Sequence, residues 1–279
     1  MRRGYGMIAA DSAPPRPHRC LAAATRGCHT DGQMDAPEYD LMDAVEDRMW
    51  WYRAVHARVL DALAARPGPA GRPWLDAGCG TGGLLVRLAG LGRDLAGLEW
   101  NPRAAARAAQ KSGAPVVSGD VNALPFPEEH FAACASIDVL CHRGVDPIKA
   151  LAELRRVLAP GGTLVLNLPA FDWLASAHDI RVHNARRSTR ASAEAMLRAA
   201  GFVDVRADYW NSLLLPLMVL QRKVLAREPD AASDVGEFPP WLDASLFAAT
   251  RAERLLARCG LRYPAGGSVL AIASRPLES

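Results

Sequence analysis

From Pro73 to Leu168 short apolar runs alternate with helical stretches, and this alternation constrains the fold more than any other feature of the chain. Strands are expected over Pro73–Ala77, Asp94–Leu98, Pro115–Ser118, Phe131–Ile137 and Thr163–Leu168. Helices are expected over Thr81–Leu91, Arg103–Ser112 and Ile148–Leu158. Strands that succeed one another across helices run parallel with right-handed crossovers, so the expected class is a doubly wound α/β sheet. A helix over Ser192–Ala200 and late strands over Phe202–Tyr209 and Ser268–Ala273 extend the pattern. The stretch between those last strands far exceeds a hairpin connection, and 210–265 is read as a helical cap insert before a final strand, 266–274.

Ahead of the sheet, Pro37–Ala65 repeats apolar residues at helical spacing (Leu41, Val45, Met49, Tyr52, Val55, Val59, Leu63) and stops at Arg66-Pro67-Gly68-Pro69. It is read as one covering helix, with the cofactor-binding core over 70–209. Residues 1–33 lack periodicity and read as a disordered tail, with Met34 starting the domain proper. The net charge of +3 sits in that tail, which holds five Arg against two Asp; the remainder balances 28 basic with 28 acidic groups. Such a charge gives no reason to expect a nucleic-acid partner. No apolar run reaches the roughly 20 residues of a membrane span. The six cysteines show neither paired nor zinc-ligand spacing, and the start lacks the apolar core of a signal peptide. A cytoplasmic protein without a metal is therefore expected.

The chemistry concentrates in Asp76-Ala77-Gly78-Cys79-Gly80-Thr81-Gly82-Gly83, which ends one strand and opens a helix. Glycines there let a ligand approach the backbone. Gly78, Gly80 and Gly83 satisfy GxGxxG, and Glu99 ends the next strand where an acid takes ribose hydroxyls. A nicotinamide or flavin enzyme and an S-adenosylmethionine enzyme both fit that pattern. Asp76 favours the second, because it would repel a pyrophosphate and attract an ammonium group. Asp120, ending the third strand, adds an acceptor for an adenine amino group beside the Val121 amide.

Together Asp76–Gly83, Glu99, Asp120, Ile137–His142 and Leu158–Gly162 resemble the class I S-adenosylmethionine-dependent methyltransferases, type 11 small-molecule group. The resemblance is strong over about 70 to 170. It implies a seven-stranded Rossmann-like sheet with an antiparallel last strand. It also implies a cofactor site in which Asp76, Gly78, Cys79, Gly80 and Gly82 hold the methionine part. Glu99 then takes the ribose, Trp100 flanks the adenine, Asp120 and Val121 read the base, and Ile137 follows the strand lining the sulfonium. Glu46–Arg53 is similar to an amino-terminal segment that covers the cofactor in a bacterial subset. Relatives often carry Glu-His after the fourth strand; this chain has Cys141-His142, which leaves His142 as the expected base.

Beyond the fifth strand, His178, Asp179, His183, Arg186 and Arg187 are expected to border the acceptor, with the arginines clamping an anion. The apolar run Leu213–Leu220 reads as a buried cap helix, an interfacial or lipid-facing wall, or a dimer contact. The expected activity is methyl transfer to a small or lipid-linked acceptor, with peripheral membrane contact open. The rival readings are an NAD-dependent oxidoreductase and a non-catalytic cofactor-binding module.

Overall fold

The computed structural model describes residues 36–176, 179, 183–225 and 236–277, all within one unit spanning Asp31–Ser279. The expected tail 1–33 and His178 lie outside the described residues. Strands β1 (Trp74–Ala77), β2 (Leu95–Glu99), β3 (Val116–Ser118), β4 (Phe131–Ile137) and β5 (Leu158–Pro169) run parallel to one another. Strands β6 (Val203–Trp210) and β7 (Ser268–Ser274) complete a sheet of seven in the order β3-β2-β1-β4-β5-β7-β6. β7 slots antiparallel between β5 and β6. The order turns back at β1 and β4, and at such a switch point the carboxyl ends of the strands leave a crevice.

Both faces of the sheet are covered, which is why β4 reads as a continuous buried run, Phe-Ala-Ala-Cys-Ala-Ser, rather than an alternation. Helices α1 (Ala36–Val45) and α2 (Trp50–Ala65) precede the sheet. Helices α3 (Gly83–Ala89), α4 (Pro102–Ser112), α5 (Pro147–Val157) and α6 (Arg190–Ala199) follow its strands. Val59, Leu63, Leu84 and Leu85 of α2 and α3 pack with Trp74 and Ala133 on one face. Leu151, Leu154 and Leu197 of α5 and α6 pack with Leu75, Leu98 and Cys134 on the other. Two crossover helices start alike: Asn101 and Asp146 each accept two backbone N–H bonds in front of Pro102 and Pro147.

Three expectations are corrected. The covering segment is two helices, not one, because the chain breaks over 46–49, where Glu46 turns its carboxylate toward α3. The Asp243 side chain then caps the free N–H of Trp50 at 2.7 Å and restarts the helix. The Leu213–Leu220 run is not buried: α7 (Leu215–Val219) has no buried residue, and Leu213, Leu217 and Leu220 are 48%, 49% and 45% exposed. Finally, α8 (Pro240–Arg258) does not close over the crevice. It packs on α2 through the Arg58–Glu253 pair and the Arg254–Asp61 pair.

Candidate active site

A cavity of about 730 Å³ opens at the carboxyl ends of β1 to β5. Gly78, Gly80, Glu99, Trp100, Gly119, Asp120 and Val121 line it from the first three strands. Ile137, Asp138, Val139 and His142 line it from the end of β4. The covering segment adds Tyr39, Met42, Met49, Trp50, Trp51 and Tyr52. Met218, Gln221, Arg222 and Phe238 contribute from the insert.

Gly78 adopts φ +88°, and a Cβ there would overlap the Val139 side chain. Only glycine therefore fits the point where β4 and the loop meet at the cavity wall. Glu99 is pinned from three sides. Gly80 N donates to its Oε2 at 2.9 Å, while Tyr39 Oη and Asn101 N donate to Oε1 at 2.7 and 3.0 Å. The Asp120 carboxylate accepts from Asn122 N at 2.8 Å, which fixes the turn that brings Val121 to the wall. Asp76 sits beneath the loop, only 2% exposed, and its Oδ2 has no hydrogen-bond partner. Burial, with Glu46 and Glu99 nearby, pushes its carboxyl up to about 8.

Glu46 occupies the amino terminus of α3. Its carboxylate accepts from Thr81 Oγ1 at 2.6 Å, Gly83 N at 3.2 Å and Lys111 Nζ at 2.8 Å. This is the position a dinucleotide's pyrophosphate takes in a GxGxxG enzyme. An anion of the protein already satisfies those donors, so the loop is closed to a pyrophosphate.

Several expected site residues lie elsewhere. Cys79 is packed in the core with Leu85 and Leu95 and does not line the cavity. Gly82, at φ +97°, meets α4, where an added Cβ would fall 2.9 Å from Ala108 Cα; its role is helix packing. Arg186 spends one nitrogen on the carbonyls of Leu140, His142 and Val145, so it staples the loop after β4 rather than clamping an anion. Arg187 does reach the cavity wall, but its guanidinium is paired with both Asp179 oxygens at 2.8 Å. Burial raises the Asp179 carboxyl while Arg187 lowers it, and the net shift is downward. His183 is absent from the cavity wall; its carbonyl receives Arg143 N.

Two groups escaped the sequence reading. Asp138 lies one residue past β4 at φ +51°, an uncommon conformation for a side-chain-bearing residue, and lines the cavity. Burial pushes its carboxyl up to about 7, against the lowering effect of Asn167 and Arg187. Glu46 is the second. Both stand inside stretches that drew notice for other reasons, Ile137–His142 and Glu46–Arg53, and their partners Asn167 and Thr81 are not local in sequence.

A family model described as a methyltransferase domain matches residues 75–166. An uncharacterized methyltransferase of Geobacillus thermodenitrificans is 31% identical over 66% of this chain and 80% of its own length. The chain belongs to the class I S-adenosylmethionine-dependent methyltransferases, type 11. A demethylmenaquinone methyltransferase of Deinococcus radiodurans is 37% identical over 47% of this methyltransferase and 55% of the relative. The chain thus spans little more than half the length of that relative, and 36% of a Streptomyces fradiae transposon protein it also matches. A SAM-dependent methyltransferase of Thermotoga maritima superposes with a TM-score of 0.54 at 21% identity, covering 86% of this chain and 95% of that one, which shows the shared fold.

The residues present fit the family's cofactor. Asp76 is not itself on the cavity wall, but its buried Oδ2 is an unpartnered polar atom behind a loop whose Gly78 and Gly80 line the cavity. Glu99, Asp120 and Val121, expected on the ribose and adenine sides, line one cavity. S-adenosylmethionine supplies a methyl group already activated on a sulfonium, and the pocket supplies its position.

Proposed function

We propose that this methyltransferase passes the methyl group of S-adenosylmethionine to a small apolar or lipid-linked acceptor. One observation carries the reading: the same cavity holds the Gly78–Gly80–Glu99–Asp120 arc and an aromatic wall of Trp50, Trp51, Tyr52 and Phe238 next to Asp138 and His142. In this reading Asp76 faces the cofactor's ammonium group, Gly78 and Gly80 lie along its methionine part, Glu99 holds the ribose, and Trp100, Asp120 and Val121 frame the adenine. Ile137 borders the sulfonium, and His142 stands at the acceptor side. Methyl transfer is an in-line displacement, so holding donor and acceptor in register supplies most of the rate. The aromatic wall excludes water and favours a flat apolar acceptor, in keeping with the quinone-precursor chemistry named for the Deinococcus relative.

Peripheral contact with a lipid surface belongs to the same proposal. Met218, Gln221 and Arg222 line the cavity, while Leu213, Leu217 and Leu220 are exposed on that same segment. No helix among the described residues is long and apolar enough to cross a membrane. An apolar edge beside the cavity is what an acceptor drawn from a lipid layer needs. Cys79, Cys134, Cys141 and Cys259 are unpaired thiols, which suits work in a reducing cytoplasm.

Calorimetry with S-adenosylhomocysteine and with NAD tests the cofactor assignment. Binding of the first and not the second is expected, and tight NAD binding alone would overturn it. Labelled methyl transfer to a demethylated naphthoquinol presented in lipid vesicles tests the acceptor class. Co-sedimentation with those vesicles, weakened by Leu217→Ser with Leu220→Ser, is expected; equal sedimentation of both proteins would remove the lipid contact.

A further inference from the structure

The end of β4 carries a hydrogen-bonded chain that the cofactor arc does not use. Trp210 Nε1 donates to Asn167 Oδ1 at 2.8 Å, and Asn167 Nδ2 donates to Asp138 Oδ1 at 2.8 Å. An indole nitrogen can only donate, so the Asn167 carbonyl must face Trp210 and its amide must face Asp138. The orientation of the amide is thereby fixed by chemistry. Asn167 is fully buried in β5, directly across from Ile137, and Trp210 is buried at the end of β6. The backbone repeats the link, with Asp138 N donating to Asn167 O at 3.0 Å. The carboxylate is therefore held at both ends of its residue.

Only one of its oxygens is engaged. Among the described residues, Oδ2 of Asp138 accepts no hydrogen bond, although Asp138 lines the cavity. The positive φ of Asp138 turns this residue away from the strand direction, and the Asn167 contacts hold it there.

We propose that Asp138 is the catalytic base of this methyltransferase, positioned by Asn167 and Trp210, and that its acceptors carry a proton on the attacking atom. The inference rests on the methyl-transfer reading above. The acceptor's electron pair forms the bond to the methyl carbon, the carbon–sulfur bond breaks with its pair passing to sulfur, and the acceptor's proton passes to Asp138 Oδ2 and from there to solvent. His142 then shapes the acceptor side without taking the proton. The assignment excludes thioethers and tertiary amines as obligatory acceptors, because neither has a proton to give.

The groups around Asp138 set its titration. Tyr52 of α2 lies close enough to feel its charge, and Cys141 and His142 follow it in the same loop. Cys141 Sγ donates to the Asp138 carbonyl at 3.1 Å. From beyond β5, Arg187 favours the charged form and Asp179 opposes it, while burial dominates both and lifts the carboxyl to about 7. A base is most effective when its pKa lies near the working pH.

Two measurements test this. The first needs no acceptor: carbon-13 NMR of aspartate carboxyls in the S-adenosylhomocysteine complex, with Asp138→Asn assigning the signal. A carboxyl titrating near neutrality is expected, moving upward in Asn167→Ala because a donor to the charged form is lost. Titration below pH 5, or no response to Asn167→Ala, would overturn the proposal. The second measures methyl transfer to 1,4-naphthohydroquinone against pH. Asp138→Asn is expected to lower turnover by about 100-fold or more and to abolish the rising limb near pH 7, with S-adenosylhomocysteine affinity within about twofold of the parent. His142→Ala is expected to keep that limb. Retention of the limb in Asp138→Asn, or its loss in His142→Ala alone, would transfer the role to His142. A neutral-range carboxyl in a protein that methylates nothing would sink the activity reading while leaving the proton site in place.

Discussion

Asp76 is a carboxyl that the ligand-free fold prefers to keep protonated. It is buried, its Oδ2 is unpartnered, and Glu46 and Glu99 lie near it. The unfolded chain ionises this group at about 4, whereas the folded chain holds the proton to about 8. Between those values the folded state binds more protons than the unfolded state, so stability falls as pH rises. The slope is up to about 1.4 kcal/mol per pH unit for one proton. Denaturant unfolding of the ligand-free protein from pH 5 to 8 is expected to show this decline, and Asp76→Asn is expected to flatten it. Asp138, lifted to about 7, adds to the slope over the lower part of the window. At the adenine side, Asp120→Ala removes one acceptor from the cavity wall. Loss of a single ligand hydrogen bond of about 1–3 kcal/mol is expected, read by calorimetry as a roughly 10- to 100-fold weaker S-adenosylhomocysteine affinity, with a small fall in melting temperature from the lost Asn122 N bond. The glycines and acids at these positions were visible in the sequence because their spacing is local. Arg186 was misjudged for the opposite reason: three carbonyls of the 140–145 loop, more than 40 residues away, capture its guanidinium.

The covering helices depend on contacts that no helical periodicity encodes. Leu41 to Leu63 repeats at helical spacing throughout, yet the chain breaks after Val45 because Glu46 satisfies the first turn of α3 and Lys111 of α4. Burial raises the Glu46 carboxyl, and the Lys111 and Thr81 bonds pull it back. Glu46→Ala leaves Gly83 N, Thr81 Oγ1 and Lys111 Nζ without that acceptor. A loss of about 1–3 kcal/mol is expected, with faster hydrogen exchange in α1 and a weaker hold of Tyr39 on Glu99, while the exchange of β4 and β5 stays as it was. The insert is the other element where the pattern misled. An all-apolar run such as Leu213–Leu220 reads as buried, and a local pattern has no means of telling a core face from a face left open beside a cavity.

At the scale of the whole molecule, the fold brings Glu99 from β2 and Asp120 from beyond β3 to one crevice and buries Asp76 of β1 behind its glycine loop, off the cavity wall. Ligand binding and stability are coupled. Saturating S-adenosylhomocysteine at about 100 times its dissociation constant adds about 2.7 kcal/mol. The gain in melting temperature is expected to be larger at pH 8 than at pH 6, because Asp76 is charged at the higher pH and the cofactor's ammonium group relieves it. A gain that shrinks with pH would mean that Asp76 does not face that group.

The sequence by itself determined the parallel α/β alternation, the glycine turn after the first strand and the acids ending the second and third, because each depends on residues within one or two turns of chain. Those features outline a nucleoside-binding crevice and carry the resemblance to the family. Only the tertiary structure decided which glycine faces the crevice and which packs a helix. It alone showed that Glu46 fills the amino terminus of α3, and that Asn167 and Trp210, 29 and 72 residues downstream, aim Asp138 into the cavity. Those assignments are set by partners brought together through sheet order, and sheet order is a property of the packed molecule that no local pattern contains.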